Sequence, residues 1–164
     1  MGGSDCELLR DAWLAQPANA WSSLAFALGA VFVLVAVPWH HRAPGDRSWV
    51  LAGSAAMVLV ALGSFAYHGP QPSWARAVHD GSNFALAAVL GALLVRSYRQ
   101  QPAALFGVPV VSVAAIATGG AAWFSGRSDG PLCAPSSWFQ WHAAWHVLAA
   151  VAATAALLRW TRPR

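Results

Sequence analysis

The chain has 164 residues, of which 57% are hydrophobic and 10% are charged, and its mean hydropathy is +0.47. Soluble domains carry roughly 25% charged residues, so this composition excludes an ordinary soluble domain and indicates a small integral membrane protein. The formal net charge is +4 and every basic residue is an arginine, but the arginines fall between apolar runs, which argues against nucleic-acid binding.

Five apolar runs follow one another along the chain after a polar, acidic lead over residues 1–17. The lead has no positive n-region followed by an apolar h-region, so we do not expect a cleavable signal peptide. We predict transmembrane helices over about 19–38, 49–68, 75–95, 103–124 and 138–158, separated by short segments rich in Pro, Gly, Ser and Arg. The sequence contains no internal repeat. We therefore expect an all-α membrane bundle in a single domain, 1–164.

Five spans put the two termini on opposite sides of the membrane, and the arginines indicate which side is which. An outside N-terminus leaves three arginines outside (Arg10, Arg76 and Arg127) and puts the other seven inside. The positive-inside rule therefore predicts an N-out, C-in topology, which we assign to a bacterial inner (plasma) membrane. The end of helix two and the starts of helices three and five then meet at the extracytoplasmic end.

Polar side chains with metal chemistry lie at that end of the predicted bundle. His68 closes helix two, and His142 and His146 stand one turn apart at the start of helix five. Three imidazoles with an open fourth position form the ligand set of a catalytic zinc site, in which the ion activates a bound water. Asp80 can exchange a proton with that water, and Ser64, one turn before His68, can donate to an oxyanion. The alternative is that the paired histidines only lie at the interface beside neighbouring tryptophans.

The two cysteines, Cys6 and Cys133, both lie outside in this topology, where disulfides persist. A single intrachain pairing is possible. The chain therefore has either one bond that ties the lead to the loop before helix five, or two unpaired thiols.

The order and spacing of these residues resemble the signature of the alkaline ceramidase family: Gly63-Ser64-Phe65-Ala66-Tyr67-His68, then Asp80, then His142-Ala143-Ala144-Trp145-His146. That family belongs to a superfamily of membrane hydrolases that also contains the adiponectin and progestin receptors. The lead Asp5-Cys6-Glu7 and the stretch 16–24 are similar to the family's N-terminal segment as well.

This resemblance implies a Zn²⁺ ion bound by His68, His142 and His146. It implies that Asp80 orients or deprotonates the water, that Ser64 assists at the oxyanion, and that Cys6 pairs with Cys133. The implied substrate is a lipid amide such as ceramide, which enters from the bilayer and is hydrolysed to a sphingoid base and a fatty acid. The eukaryotic members of the family have more helices than are predicted here. Of their N-terminal calcium ligands only Glu7 is matched, so we do not predict calcium.

Two other functions remain open. A b-type haem protein that transfers electrons would use two of the same histidines as axial ligands, but it leaves Asp80 and Ser64 without a role. A non-catalytic receptor or sensor would bind zinc and show no turnover.

Overall fold

The structure of the chain is a computed structural model, and it describes residues 5–41, 44–100 and 110–160. These residues form an all-helical bundle with a short 3-10 turn at Trp39–His41: α1 (Pro17–Ser23), α2 (Ala25–Ala36), α3 (Pro44–His68), α4 (Ala75–Gln100), α5 (Val110–Ser125) and α6 (Trp141–Trp160). The predicted all-α bundle is confirmed. Each predicted span corresponds to one helix, except that the first corresponds to the pair α1 and α2.

Four helical segments of the described residues are long and apolar enough to cross a membrane: Pro17–Ala36, Gly45–His68, Ala75–Gln100 and Trp141–Arg159. The fifth, α5, has 16 residues. At 1.5 Å per residue the described part of α5 is about 24 Å long, compared with roughly 30 Å for a bilayer's hydrocarbon core. Residues 103–109, where we predicted the fourth span to begin, lie outside the described residues, as do Arg42, Arg162 and Arg164. The topology across the membrane stays a prediction.

The first span is interrupted at Leu24, between α1 and α2. Two serines just before the break turn back onto the helix: Ser22 Oγ donates to the carbonyl of Asn19 (3.0 Å), and Ser23 Oγ donates to that of Ala20 (2.6 Å). Hydroxyls that bond to preceding carbonyls compete with the main-chain ladder and bend helices. We attribute the interruption to these two serines.

The core lies between α2, α3, α4 and α6, and α3 is its central helix. Its large, fully buried members come from all four helices: Val33 of α2, Met57 and Val60 of α3, Leu93 of α4 and Leu157 of α6. Helix α4 packs mainly on α3, whereas α5 packs mainly on α6. A cavity therefore remains between α4 and α5.

Gly63 sets the distance between α3 and α4 near one end of the bundle. A Cβ at this position would lie 3.1 Å from main-chain atoms of Val78 and His79. The absence of a side chain lets the two helices approach closely. It brings the start of α4, with His79, next to the end of α3, with His68.

Candidate metal centre

Three buried histidines converge at one end of the bundle. His68 is the last residue of α3, and His142 and His146 lie one turn apart in the first turns of α6. One ring nitrogen from each lies within 4.8 Å of the others, and the ring centroids are 4.6–5.2 Å apart. The three side chains predicted as ligands are thus brought together, and they can hold a metal ion.

The imidazole of His68 is oriented by Gln16, which is fully buried just before α1. The amide nitrogen of Gln16 donates to the carbonyl of Glu7 (2.9 Å), so its oxygen is the acceptor that faces His68 Nδ1 at 2.9 Å. Nδ1 of His68 therefore carries the proton in this network. The lone pair of the neutral ring is on Nε2.

His146 is oriented by the end of α1 in the same way. Its Nδ1 lies 2.9 Å from Ser22 Oγ and 3.1 Å from the carbonyl of Asn19. The hydroxyl proton of Ser22 is directed to that carbonyl, so both oxygens accept from the ring. His146 thus also carries its proton on Nδ1 and has its lone pair on Nε2.

The third ring, His142, faces the carboxylate of Asp5. Nδ1 of His142 lies 3.4 Å from Asp5 Oδ1, and the other carboxylate oxygen lies 3.9 Å from Nδ1 of His68. An ionised carboxylate only accepts hydrogen bonds, so it favours the Nδ1–H form of both rings. Each of the three histidines therefore has an oxygen partner behind it, the arrangement that orients metal-binding imidazoles in proteins.

Two of the three Nε2 atoms have no comparable partner. Among the described residues, Nε2 of His68 and Nε2 of His142 are buried without a hydrogen bond. Buried nitrogen lone pairs without a donor are costly, and a cation among them removes that cost. The donor set fits a metal ion that takes three imidazole nitrogens.

Ser64 and Asp80, the two other predicted site residues, are placed differently from each other. Ser64 is buried on α3, and its hydroxyl lies 3.4 Å from Nε2 of His146. Asp80 lies on α4 with 52% of its side chain exposed, and its carboxylate bonds to Nδ1 of His79 (2.8 Å) and lies 3.8 Å from Nε of Arg76. His79 stacks on Tyr67 and its ring lies 5.9 Å from that of His68. Asp80 is therefore close to the three-histidine cluster but not part of it.

A cavity of about 810 Å³ opens from this cluster and runs between α4, α5 and α6. Ser64, His79, Asp80, His142 and His146 are its polar lining at the cluster end. Beyond them the lining is mostly apolar, apart from Asn83 and Ser112, and includes four alanines of one face of α6: Ala149, Ala152, Ala153 and Ala156. From His146 to Ala156 this face is about 15 Å long at 1.5 Å per residue. The cavity is long and mostly apolar, with its two histidines of the cluster at one end.

The lead before α1 is fixed against the cluster by a disulfide and a buried acid. Cys6 is bonded to Cys133, with their Cα atoms 5.5 Å apart, so the predicted pairing is present. The carboxylate of Glu7 accepts from the main-chain N–H groups of Ala18 (2.8 Å) and Asn19 (2.9 Å). It thereby satisfies two donors that a helix start leaves unpaired.

Sequence reasoning did not find the residues behind the histidines. The sequence assigns no role to Asp5 or Gln16, although both lie in the two N-terminal stretches, 5–7 and 16–24, that resemble a known family. One signal was available: Asn19 and Ser22 are polar residues three apart at the start of an apolar run, which places them on one helix face.

Comparison of the chain with models of protein families, with curated proteins and with solved structures gives no match.

Proposed function

We propose that this chain is a zinc-dependent hydrolase of the membrane that cleaves the amide bond of a lipid such as ceramide, releasing a sphingoid base and a fatty acid. The observation that carries the proposal is the cluster of three oriented imidazoles at the mouth of a long, mostly apolar cavity, where Nε2 of His68 and of His142 are buried without a hydrogen bond to any described residue. The resemblance to the alkaline ceramidases supports the same reading.

The ion proposed for the cluster is zinc, held by His68, His142 and His146. Zinc held by three imidazoles would supply Lewis-acid chemistry there, activating a water and polarising a carbonyl. The three rings converge on one point, with centroids at most 5.2 Å apart. This geometry favours a small ion over a porphyrin, which needs a flat slot between two axial ligands.

The cavity supports a lipid substrate with a long chain. Its apolar part runs along α6 away from the cluster, so an acyl or sphingoid chain that lies there puts its amide group beside the three histidines. Burial of each methylene contributes about 0.8 kcal/mol, so burial of a long acyl or sphingoid chain in the cavity favours binding of the lipid. Helices α4 and α5 pack on different partners, and we propose the gap between them as the entry from the bilayer.

Ser64 and Asp80 are the residues of this chain to which we assign proton and oxyanion roles. The buried hydroxyl of Ser64, beside His146, can donate to the oxygen of the scissile amide as charge develops there. Asp80 lines the same end of the cavity, and His79 holds its carboxylate at 2.8 Å. In the proposed reaction Asp80 accepts the proton of the attacking water and returns it to the leaving nitrogen.

We further propose that the cluster faces the extracytoplasmic side. Asp5, which contacts two of the histidines, is the neighbour of the disulfide-bonded Cys6. Disulfides persist in oxidising compartments, so the cluster end of the bundle belongs on that side. The excess of arginines predicted for the other side supports the same topology.

A second candidate is a zinc-binding receptor or sensor without turnover. It is favoured by the position of Asp80, whose carboxylate is half exposed and bonded to His79 rather than directed into the cluster. The two candidates share the metal site and differ in hydrolysis alone.

One experiment separates these candidates. The full chain is purified in detergent and incubated with N-palmitoyl and N-lauroyl sphingosine in mixed micelles, and released fatty acid is measured by mass spectrometry. We expect release by the wild type, loss on chelation, recovery with zinc, and no release by His146→Ala. The matched control is His40→Ala, at an exposed histidine of the 3-10 turn at the other end of the bundle. A wild type that holds zinc and releases no fatty acid contradicts the hydrolase and favours the receptor.

A further inference from the structure

Asp5 is the buried acid of the site that the proposed chemistry does not use. It is 6% exposed and lies in the non-helical lead, yet its two oxygens face Nδ1 of His142 and Nδ1 of His68. A carboxylate is costly to bury unless positive charge or donors offset the loss of water. The N–H group of His142, 3.4 Å from Asp5 Oδ1, is one such donor, and a divalent cation beyond the ring would add positive charge.

The charge of the ligand set also indicates that Asp5 has a role at the metal site. Three neutral imidazoles bring no negative charge to a divalent ion in a buried site, and the carboxylate of Asp80 is half exposed beside Arg76. Asp5 is thus the buried negative group in direct contact with the ligand side chains. Carboxylates behind metal-binding histidines fix the ring orientation and strengthen the ring as a ligand.

The position of Asp5 is fixed by covalent and hydrogen bonds. The next residue, Cys6, is bonded to Cys133, and its main-chain N–H donates to Ser128 Oγ (3.4 Å). Glu7 then donates from its main chain to the carbonyl of Asp5 and accepts from the start of α1. The disulfide and these hydrogen bonds hold the residues on the C-terminal side of Asp5.

We propose that Asp5 is a positioning residue of the metal centre: it orients the ring of His142, it balances the charge of the ion from its position beside His142 and His68, and the Cys6–Cys133 disulfide holds it in place. The inference rests on the metal site of the proposed function. It adds a role for the lead that is independent of the hydrolytic reaction.

The test measures zinc affinity on the full chain in detergent by competition with a chromophoric chelator, together with the absorption spectrum of the Co²⁺-loaded protein. Asp5→Asn preserves the shape of the side chain and removes its charge. We expect its zinc affinity to fall about 10–100-fold and its Co²⁺ spectrum to shift, because the rings lose their carboxylate. The matched control is Asp11→Asn, which removes an exposed acid of the same lead and should change neither quantity.

A purely structural role is distinguished by the thermal unfolding of the metal-free proteins. Metal-free Asp5→Asn should unfold close to the wild-type temperature, whereas an equal loss of metal-free stability and zinc affinity would overturn the proposal. If Asp5→Asn does not fold, the wild type is reduced and alkylated at Cys6 and Cys133, which releases the lead, and its zinc affinity should fall. Unchanged affinity in Asp5→Asn, or in the reduced and alkylated protein, overturns the positioning role while leaving the hydrolase proposal intact. A wild type that binds no zinc overturns both.

Discussion

Glu7→Gln tests the stabilising role of the acid under the start of α1. The carboxylate of Glu7 is buried and accepts two main-chain hydrogen bonds, from Ala18 at 2.8 Å and from Asn19 at 2.9 Å. Glutamine keeps one acceptor oxygen and replaces the other by a donor that faces an N–H group. One charge-assisted hydrogen bond is therefore lost, which costs about 1.5–3 kcal/mol of the free energy of unfolding.

For a chain of this size each kcal/mol changes the unfolding temperature by about 2–4 °C. The expected decrease is therefore about 3–12 °C. It is measured by tryptophan fluorescence on heating the metal-free protein in detergent, with Asp11→Asn as the control. If Glu7→Gln unfolds at the temperature of Asp11→Asn and of the wild type, the buried carboxylate does not stabilise α1 and this reasoning is wrong.

Three further predictions concern the reaction, the cavity and the disulfide. Asp80→Asn should keep the bound zinc and lower the rate of hydrolysis by about 10²–10⁴-fold, as for loss of a general base; near-normal turnover would remove Asp80 from the mechanism. Ala156→Phe fills the far end of the cavity, so the turnover of N-palmitoyl relative to N-lauroyl sphingosine should fall about tenfold. Ala155→Phe, outside that lining, should leave the ratio unchanged. An equal ratio in the two variants would mean that the acyl chain of the substrate does not lie along α6. Cys133→Ser should lower both the unfolding temperature and the zinc affinity, and wild-type values for both would show that the disulfide is dispensable for the site.

The positions of the helices could be predicted from the sequence because length and apolar composition decide which segments can cross a membrane. The helix ends were less predictable. Helix α3 begins at Pro44, ahead of the predicted start at 49, since its polar first turn carries Asp46, and acids are favourable there. Asp46 also pairs with Arg96 at 2.7 Å, and α4 continues past the predicted end at 95 to Gln100. A hydropathy profile does not detect a polar helical turn of this kind, which is stabilised by an ion pair with a neighbouring helix.

The meeting of the three histidines was also predictable, because alternating spans bring the end of one helix beside the starts of others. The groups behind them were not. Asp5 and Gln16 belong to a lead without regular structure, whose path depends on contacts with distant parts of the chain. Gln16 N–H donates to the carbonyl of His68 (2.8 Å), and Leu8 N–H donates to that of Pro135 (3.0 Å). Periodicity within one segment carries no information on such long-range bonds.

The central claim is that the three imidazoles bind zinc, and metal content tests it most directly. Wild type, His146→Ala and His40→Ala are purified in detergent and measured by plasma mass spectrometry, with an absorption spectrum of each sample. We expect the wild type and His40→Ala to contain zinc in proportion to protein and to show no haem band, and His146→Ala to have lost the metal. Wild-type protein without zinc, or with a haem band that disappears in His146→Ala, would contradict the claim.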